Sequence, residues 1–181
     1  MFASLIRLLF FVLLLASCAT PPPAPARLGL QLAPSELGVD ISLQQHLVIE
    51  RNGKTDQLDA ALEVDSNELQ LVGLALGQRV LSLQYDGKTL HSWRHFMLPE
   101  QVRAEDILED MQLTLWPVES IRKALPAGWT IQDRGLRRSL YMGEQLICEI
   151  SYSAMPRWSG TVKLENFRYR YTIVIQSQPN N

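Results

Sequence analysis

Apolar and polar residues alternate along much of this chain, and the alternation predicts β-strands on both sides of a helical middle. Between residues 58 and 64 every second side chain is apolar and most of the others are charged, which is typical of an antiparallel strand with one solvated face. Asn52-Gly53 and Asp86-Gly87 are strong hairpin signals, because these residues tolerate positive φ. The other predicted strands cover residues 45–51, 68–76, 78–85, 90–97, 129–132, 136–142, 146–152, 161–165 and 169–176.

The period changes from two residues to helical spacing after Pro99. Between residues 102 and 115 the apolar side chains recur three and four residues apart, which predicts one amphipathic helix. Pro117 suits the first turn of a second, shorter helix that reaches about Leu125. We interpret the acidic cluster of the first helix as its solvated face; it consists of Glu105, Asp106, Glu109 and Asp110.

Strands, then helices, then strands, without strand-helix-strand alternation, predict an α+β fold with an antiparallel sheet and segregated helices. A sheet of nine or so strands should twist and curl, which gives it a concave apolar face that the two central helices can cover. The length suits a single domain, and we assign it to residues 28–181.

The first 17 residues have the layout of a secretory signal peptide, with Arg7 followed by an apolar run from Leu8 to Ala16. The stretch Leu15-Ala16-Ser17-Cys18 resembles the lipobox of bacterial lipoproteins. That resemblance implies cleavage before Cys18 and lipidation of its thiol. A plain signal peptide and an uncleaved anchor helix are the alternatives, although the apolar run is shorter than the about 20 residues that span a bilayer.

Residue 19 is Ala and not Asp, which in the lipoproteins of many Gram-negative bacteria implies delivery to the outer membrane. We therefore expect a lipid-anchored protein on the periplasmic face of the outer membrane. Residues 18–27, which are rich in proline, should form an extended spacer between the lipidated cysteine and the domain.

The composition narrows the function classes. The formal net charge of −2 makes nucleic acid an unsuitable partner. Cys148 lies on the apolar face of its predicted strand, so we expect it in the core. His91 and His95 are four residues apart on a predicted strand, about 13 Å, too far to share a metal ion. With no phosphate-binding loop and no nucleophile elbow either, we expect a non-enzymatic protein without metal or cofactor.

The order of elements behind the lipobox resembles LolB, the outer-membrane lipoprotein receptor, and more closely an uncharacterised group of proteobacterial LolB-like lipoproteins. The resemblance is supported by the Leu76-Gly77-Gln78 turn, the helix segment 104–111, the segment 116–122 that begins Trp-Pro-Val, and the closing strands between Gly160 and Ser177. It implies an open antiparallel half-barrel whose concave apolar face is lidded by the two helices.

The resemblance also implies a function. LolB receives the acyl chains of lipoproteins from the periplasmic carrier LolA and releases them into the outer membrane, and a protruding loop with an exposed leucine assists insertion. The matching loop is 74–78, in which Leu76, with Leu74, would enter the membrane. Alternatively, Leu74 and Leu76 simply end a buried strand.

A ligand cavity and a filled core need the same apolar face, so the pattern leaves both open. The residues that we predict to line the cavity are Leu62, Val64, Leu69, Leu71, Leu81, Leu83, Ile107, Met111, Trp116, Ile121, Leu146, Ile150, Tyr171 and Ile173.

Two functional hypotheses follow. In the first, an outer-membrane-anchored monomer binds a lipid or other long apolar ligand, an acyl chain or a polyene-like lipid, and assists its transfer or insertion, with a LolA-like carrier as a possible donor. In the second, a structural or interaction lipoprotein of the envelope has a filled core and docks a protein partner.

Overall fold

The computed structural model describes residues 27–180, which form ten antiparallel β-strands and two α-helices. The strands agree with the sequence prediction in number and position to within a few residues. Their bounds are β1 Ile41–Arg51, β2 Lys54–Val64, β3 Leu69–Ala75, β4 Gln78–Tyr85, β5 Leu90–Arg94, β6 Trp129–Arg134, β7 Arg137–Met142, β8 Gln145–Tyr152, β9 Gly160–Asn166 and β10 Tyr171–Pro179. The helices are α1 Ala104–Leu115 and α2 Val118–Ala124.

All ten strands belong to one sheet, in the order β5-β4-β3-β2-β1-β10-β9-β8-β7-β6. The first five and the last five strands each form a meander, and the meanders join where β1 pairs with β10. The two edge strands, β5 and β6, are connected through the helices and do not pair with each other. The sheet is therefore open, and the α+β arrangement predicted from the sequence is confirmed.

Two hairpins use the same two-residue turn with different sequences. Asn52-Gly53 joins β1 to β2 with φ of 52° and 72°, and Leu76-Gly77 joins β3 to β4 with φ of 52° and 75°. Positive φ at both positions matches the right-handed twist of the flanking strands. Asn and Gly adopt this conformation at little cost, whereas Leu does so against a steric penalty.

Helix α1 ends because Pro117 follows it. Trp116 takes an extended conformation with ψ of 152°, as expected for a residue before proline, and Pro117 then caps α2. Pro117 thus precedes the first turn of α2 instead of lying within it. Trp116 is fully buried, and its indole nitrogen donates to the carbonyl of Ala33 at 3.0 Å.

The segment before β1, residues 28–40, packs on α1. The side chain of Gln112 accepts from the backbone N–H of Leu32 at 3.1 Å and donates to the carbonyl of the same residue at 2.9 Å. A short 3₁₀ turn, Pro34–Leu37, follows. Leu30, Leu32 and Leu37 are buried in the core.

Because this segment covers α1, the interpretation of the acidic cluster as a solvated face is wrong for part of the cluster. Glu109 is 4% exposed, and only 13% of the Asp110 side chain is accessible. Glu105 remains exposed, as expected. The helical periodicity could not reveal this, since the cover comes from residues about 80 positions earlier in the chain.

Candidate functional site

The apolar inner face of the sheet is fully buried at one end of its central strands and only half-buried at the other. Leu47 of β1 lies between Leu58 of β2 and Ile175 of β10 in the register, and Ile49 pairs with Ile173. All five side chains keep part of their surface accessible, and all except Ile49 pack against the core. We call them, together with two residues of α1, the central patch: Leu47, Ile49, Leu58, Ile173, Ile175, Ile107 and Met111.

Ile107 and Met111 face the sheet from α1. Around the helix axis, Leu108 and Leu115 lie on one side of them and are buried in the core. Asp110 and Thr114 lie on the other side, where they contact β10 and β8. On that latter side Tyr171 donates to Asp110 at 2.6 Å. Both residues are nevertheless only half-buried. The cover that α1 gives the inner face is therefore incomplete at this point.

The structure divides the fourteen residues predicted to line a cavity into two groups. Four of them are half-buried: Ile107, Met111, Leu146 and Ile173. All of these except Leu146 belong to the central patch. The other ten are at most 9% exposed and are packed in the core: Leu62, Val64, Leu69, Leu71, Leu81, Leu83, Trp116, Ile121, Ile150 and Tyr171.

Two shallow grooves of about 290 and 270 Å³ lie at opposite ends of β1. The first is lined largely by polar and acidic side chains, including Asp40, Glu63 and Glu68. The second runs along the tip of the β1–β2 hairpin and the turn after β9. Among the predicted cavity residues, only Val64 reaches the first groove and only Tyr171 the second, so neither groove is the predicted cavity.

Four members of the central patch were not predicted: Leu47, Ile49, Leu58 and Ile175. The signal was present in the sequence. The Asn52-Gly53 turn fixes the register of β1 against β2, which places Leu47 opposite Leu58 on the inner face. The degree to which these four side chains are buried, by contrast, depends on how far α1 extends over the sheet. A local sequence pattern does not predict that.

Leu76 lies at the tip of the β3–β4 hairpin with its side chain completely exposed. It does not end a buried strand, because β3 stops at Ala75 and the residue belongs to the turn itself. Leu74 is half-buried and pairs with Arg79 of β4. The predicted insertion loop therefore presents one leucine, Leu76, to its surroundings.

A cluster of buried charges ties the start of the described chain to α1. Arg27 lies 3.2 Å from Asp106, 3.8 Å from Glu109 and 3.3 Å from Asp110. Its guanidinium also stacks over the ring of Tyr169 at 4.3 Å. We call this group, with Tyr171, the Arg27 cluster; it has three carboxyls for one arginine.

Burial shifts the ionisation of this cluster. It raises the pKa of Glu109 to about 7, although the N–H of Gly29, which donates to this carboxyl at 2.7 Å, and the charge of Arg27 oppose the shift. It raises the pKa of Asp110 to about 6 against the opposing effects of Arg27 and Tyr171. For Arg27, burial acts to lower the pKa, but the neighbouring carboxyls raise it above its ordinary value.

Cys148 is buried, as predicted, and burial raises the pKa of its thiol, so it has no reactive character. Within residues 27–180, no group of three or more His, Cys, Asp or Glu side chains is arranged to hold a metal ion. In the same part of the chain, no helix has the length and apolarity needed to cross a bilayer. The lipobox, Leu15-Ala16-Ser17-Cys18, lies outside the described residues.

Residues 42–179 match the model of the family DUF3261, whose description is "Protein of unknown function". This chain belongs to the DUF3261 family. The matched region begins in β1 and ends with β10, so it contains the whole sheet and both helices. The segment that packs on α1, residues 27–40, lies before it. No curated protein matches this DUF3261 chain.

Two solved structures resemble the DUF3261 chain. A LolA superfamily protein from Nitrosomonas europaea aligns with a TM-score of 0.46 at 9% identity, over 77% of this chain and 84% of the other. A DUF1329 family protein from Desulfovibrio piger aligns with a TM-score of 0.39 at 13% identity, over 80% and 87%.

Proposed function

We propose that this protein is an outer-membrane lipoprotein, anchored through Cys18, that binds a long apolar ligand against the central patch and assists its transfer to the membrane. In this proposal the sheet is a half-barrel and the helices are its lid. The observation that carries the proposal is the incomplete cover of the inner face: seven aliphatic side chains of β1, β2, β10 and α1 remain half-buried beside a closed core.

The size of the patch sets the affinity. Leu58, Leu47 and Ile175 lie side by side on three strands, which are spaced about 4.8 Å apart, so the patch is about 10 Å wide. That width accommodates a run of about eight methylenes, each contributing about 0.8 kcal/mol when buried. The total of about 6 kcal/mol is the upper limit of what the patch contributes, because association also costs translational and rotational freedom. Binding this weak suits a ligand that must be released.

Binding is tested with a fluorescent fatty acid and two matched variants. Leu47→Trp fills the patch from β1, whereas Val48→Trp places the same side chain on the opposite face of the same strand. We expect Leu47→Trp to weaken binding about tenfold and Val48→Trp to bind like the unaltered chain. Equal affinity in all three proteins, with all three folded, would remove the central patch from the proposal.

The exposed Leu76 is the proposed point of membrane insertion, and the Asn52-Gly53 hairpin supplies the control substitution. Leu76→Asn gives the second turn the sequence of the first, so the free energy of unfolding should rise by about 1 kcal/mol. Transfer of the fluorescent acid from the protein to vesicles should slow about tenfold. A variant that is more stable and transfers at the original rate would show that Leu76 has no part in transfer.

A second function is favoured by a different observation. Ten of the fourteen predicted cavity residues are packed in the core, as expected of a structural or interaction lipoprotein that docks an envelope partner. In that case no apolar ligand co-purifies with the protein and none binds in the titration. Native mass spectrometry of the protein extracted from membranes distinguishes the two functions.

A further inference from the structure

A second apolar surface lies close to the Leu76 turn, in the segment that leaves β5. Phe96 is 88% exposed, Met97 60% and Trp93 42%. Large apolar side chains that follow one another in sequence and all face solvent are uncommon on a monomeric protein, and they mark interaction sites. We call residues 93–97 the aromatic loop.

The aromatic loop is held in place, so the exposure of Phe96 is part of the fold. The N–H of His95 donates to the carbonyl of Val80 at 2.8 Å, and the N–H of Met97 donates to Nδ1 of His95 at 3.2 Å. Arg94 donates to the carbonyl of Pro99 at 3.0 Å. The rings of His95 and Phe96 stack with centroids 4.3 Å apart.

The chemistry of the loop suits a phospholipid headgroup region. The guanidinium of Arg79 lies 4.7 Å over the ring of Trp93, which joins a cation to an aromatic face. Tryptophan at the water–lipid boundary, arginine beside headgroup phosphates, and Phe or Met below them form the usual arrangement of interfacial protein segments. A docked protein would require shape complementarity, whereas a bilayer accepts isolated protruding side chains such as Phe96.

The position of the loop agrees with the predicted anchor. The bond from His95 to Val80 places the loop beside the start of β4, next to the Leu76-Gly77 turn. The strand register places the turn between β9 and β10 at the same end of the sheet, and Tyr169 of that turn stacks on Arg27. Eight residues lie between Cys18 and Arg27, so the nine steps from one Cα to the other reach at most about 32 Å.

We propose that the aromatic loop is a second membrane-contacting segment, which enters the headgroup region of the bilayer that holds Cys18 and so orients the sheet with its Leu76 end towards the lipid. This inference rests on the membrane anchoring in the proposed function, but it does not require the central patch to bind a ligand.

The test uses the full chain, reconstituted in vesicles of phosphatidylethanolamine and phosphatidylglycerol, with an environment-sensitive fluorophore on a single introduced cysteine. The labelled positions are Phe96→Cys and Met97→Cys in the loop. The matched control is Leu136→Cys, which is 45% exposed in the β6–β7 turn at the opposite end of the sheet. Cys148 is buried and does not label, and the unaltered chain gives the background to subtract.

With spin-labelled lipids as quenchers, we expect fluorescence at positions 96 and 97 to fall about fivefold more than at position 136, together with a blue shift of the emission. Equal quenching at the three positions would overturn the proposal. So would an unquenched loop that becomes shielded only in whole cells, because that result identifies a protein partner. Failure of the anchor itself is recognised separately, since the chain would then remain outside the vesicle fraction.

Discussion

Helix α1 has a partly buried arginine cluster on each of its halves, and the two clusters have opposite charge balance. At the amino-terminal end, Arg27 faces three carboxyls. At the carboxy-terminal end, Arg138 and Arg157 share Asp133, at 2.8 and 2.5 Å. The arginines at the carboxy-terminal end complement the helix dipole, which favours positive charge at the last turn, whereas of the three carboxyls near Arg27 only Asp106 lies in the first turn.

The clusters differ in what they hold together. Arg138 is 1% exposed and donates to the carbonyls of Leu113 and Trp116 at 2.6 and 2.9 Å, so it satisfies backbone groups that the end of α1 leaves without helical partners. Arg27, the last residue of the predicted linker, instead connects the chain before β1 to α1. The carboxy-terminal cluster thus fixes the helix to the sheet, whereas the Arg27 cluster fixes the segment before β1 to the helix.

The largest expected effect comes from removing Arg138. Arg138→Met leaves the carbonyls of Leu113 and Trp116 buried without donors, so the free energy of unfolding should fall by about 3 to 5 kcal/mol at every pH between 5 and 8. Denaturant unfolding measures it. The control is Arg137→Met, an exposed neighbour paired with Glu149, which should cost less than about 1 kcal/mol. Similar losses in the two variants would mean that Arg138 does not hold the helix end.

Removal of Arg27 should have a smaller and pH-dependent effect. In Arg27→Gln the carboxyls of Asp106, Glu109 and Asp110 lose their cation. At pH 8, where Glu109 and Asp110 are ionised, we expect the free energy of unfolding to fall by about 3 kcal/mol, and at pH 5, where both are protonated, by about 1 kcal/mol. A loss that does not change with pH would mean that Arg27 acts through its stacking on Tyr169.

The features that could be predicted from the sequence depend on neighbouring residues, whereas those that could not depend on contacts between distant parts of the chain. Strand positions follow from alternation, and the burial of Cys148 follows from its place in β8, since both depend on neighbours in sequence. The role of Arg138 depends on β7 lying under the end of α1, 22 to 25 residues away. The cover that Arg27 and Leu32 give to α1 depends on contacts between residues about 80 positions apart. The partial exposure of the central patch likewise depends on how far α1 covers the inner face of the sheet, which is a contact between distant segments.

Substitution of one carboxyl separates charge from packing in the Arg27 cluster. A folded-state pKa of about 7 for Glu109, above its ordinary 4.5, means that the folded protein binds this proton more tightly than the unfolded chain does. The protonation of Glu109 therefore contributes its full share to the free energy of unfolding below pH 4.5, and this contribution is lost as the pH rises through 7. Glu109→Gln keeps an acceptor for the N–H of Gly29 and should gain about 2 kcal/mol at pH 8 and nothing at pH 4.5. An unaltered pH profile would show that Glu109 titrates normally.

The smallest effects should come from two tyrosines that each donate a hydrogen bond to α1, one to a side chain near its middle and one to the backbone near its carboxy-terminal end. Tyr171 donates to the carboxylate of Asp110 at 2.6 Å, and Tyr152 donates to the carbonyl of Thr114 at 2.8 Å. Phenylalanine at either position removes the hydrogen bond to α1, worth about 1 kcal/mol to a neutral acceptor and about 1.5 kcal/mol to a charged one. At position 171 it also removes the acceptor of the Asn166 amide, which donates to the Tyr171 hydroxyl at 3.2 Å. The loss of unfolding free energy in Tyr171→Phe should therefore grow between pH 5 and 8, as Asp110 ionises with its pKa of about 6, while the loss in Tyr152→Phe stays constant.

Unfolding of both variants at the two pH values measures the difference. If Tyr152→Phe also varied with pH, the charge balance of the clusters would not be what separates the two ends of the helix.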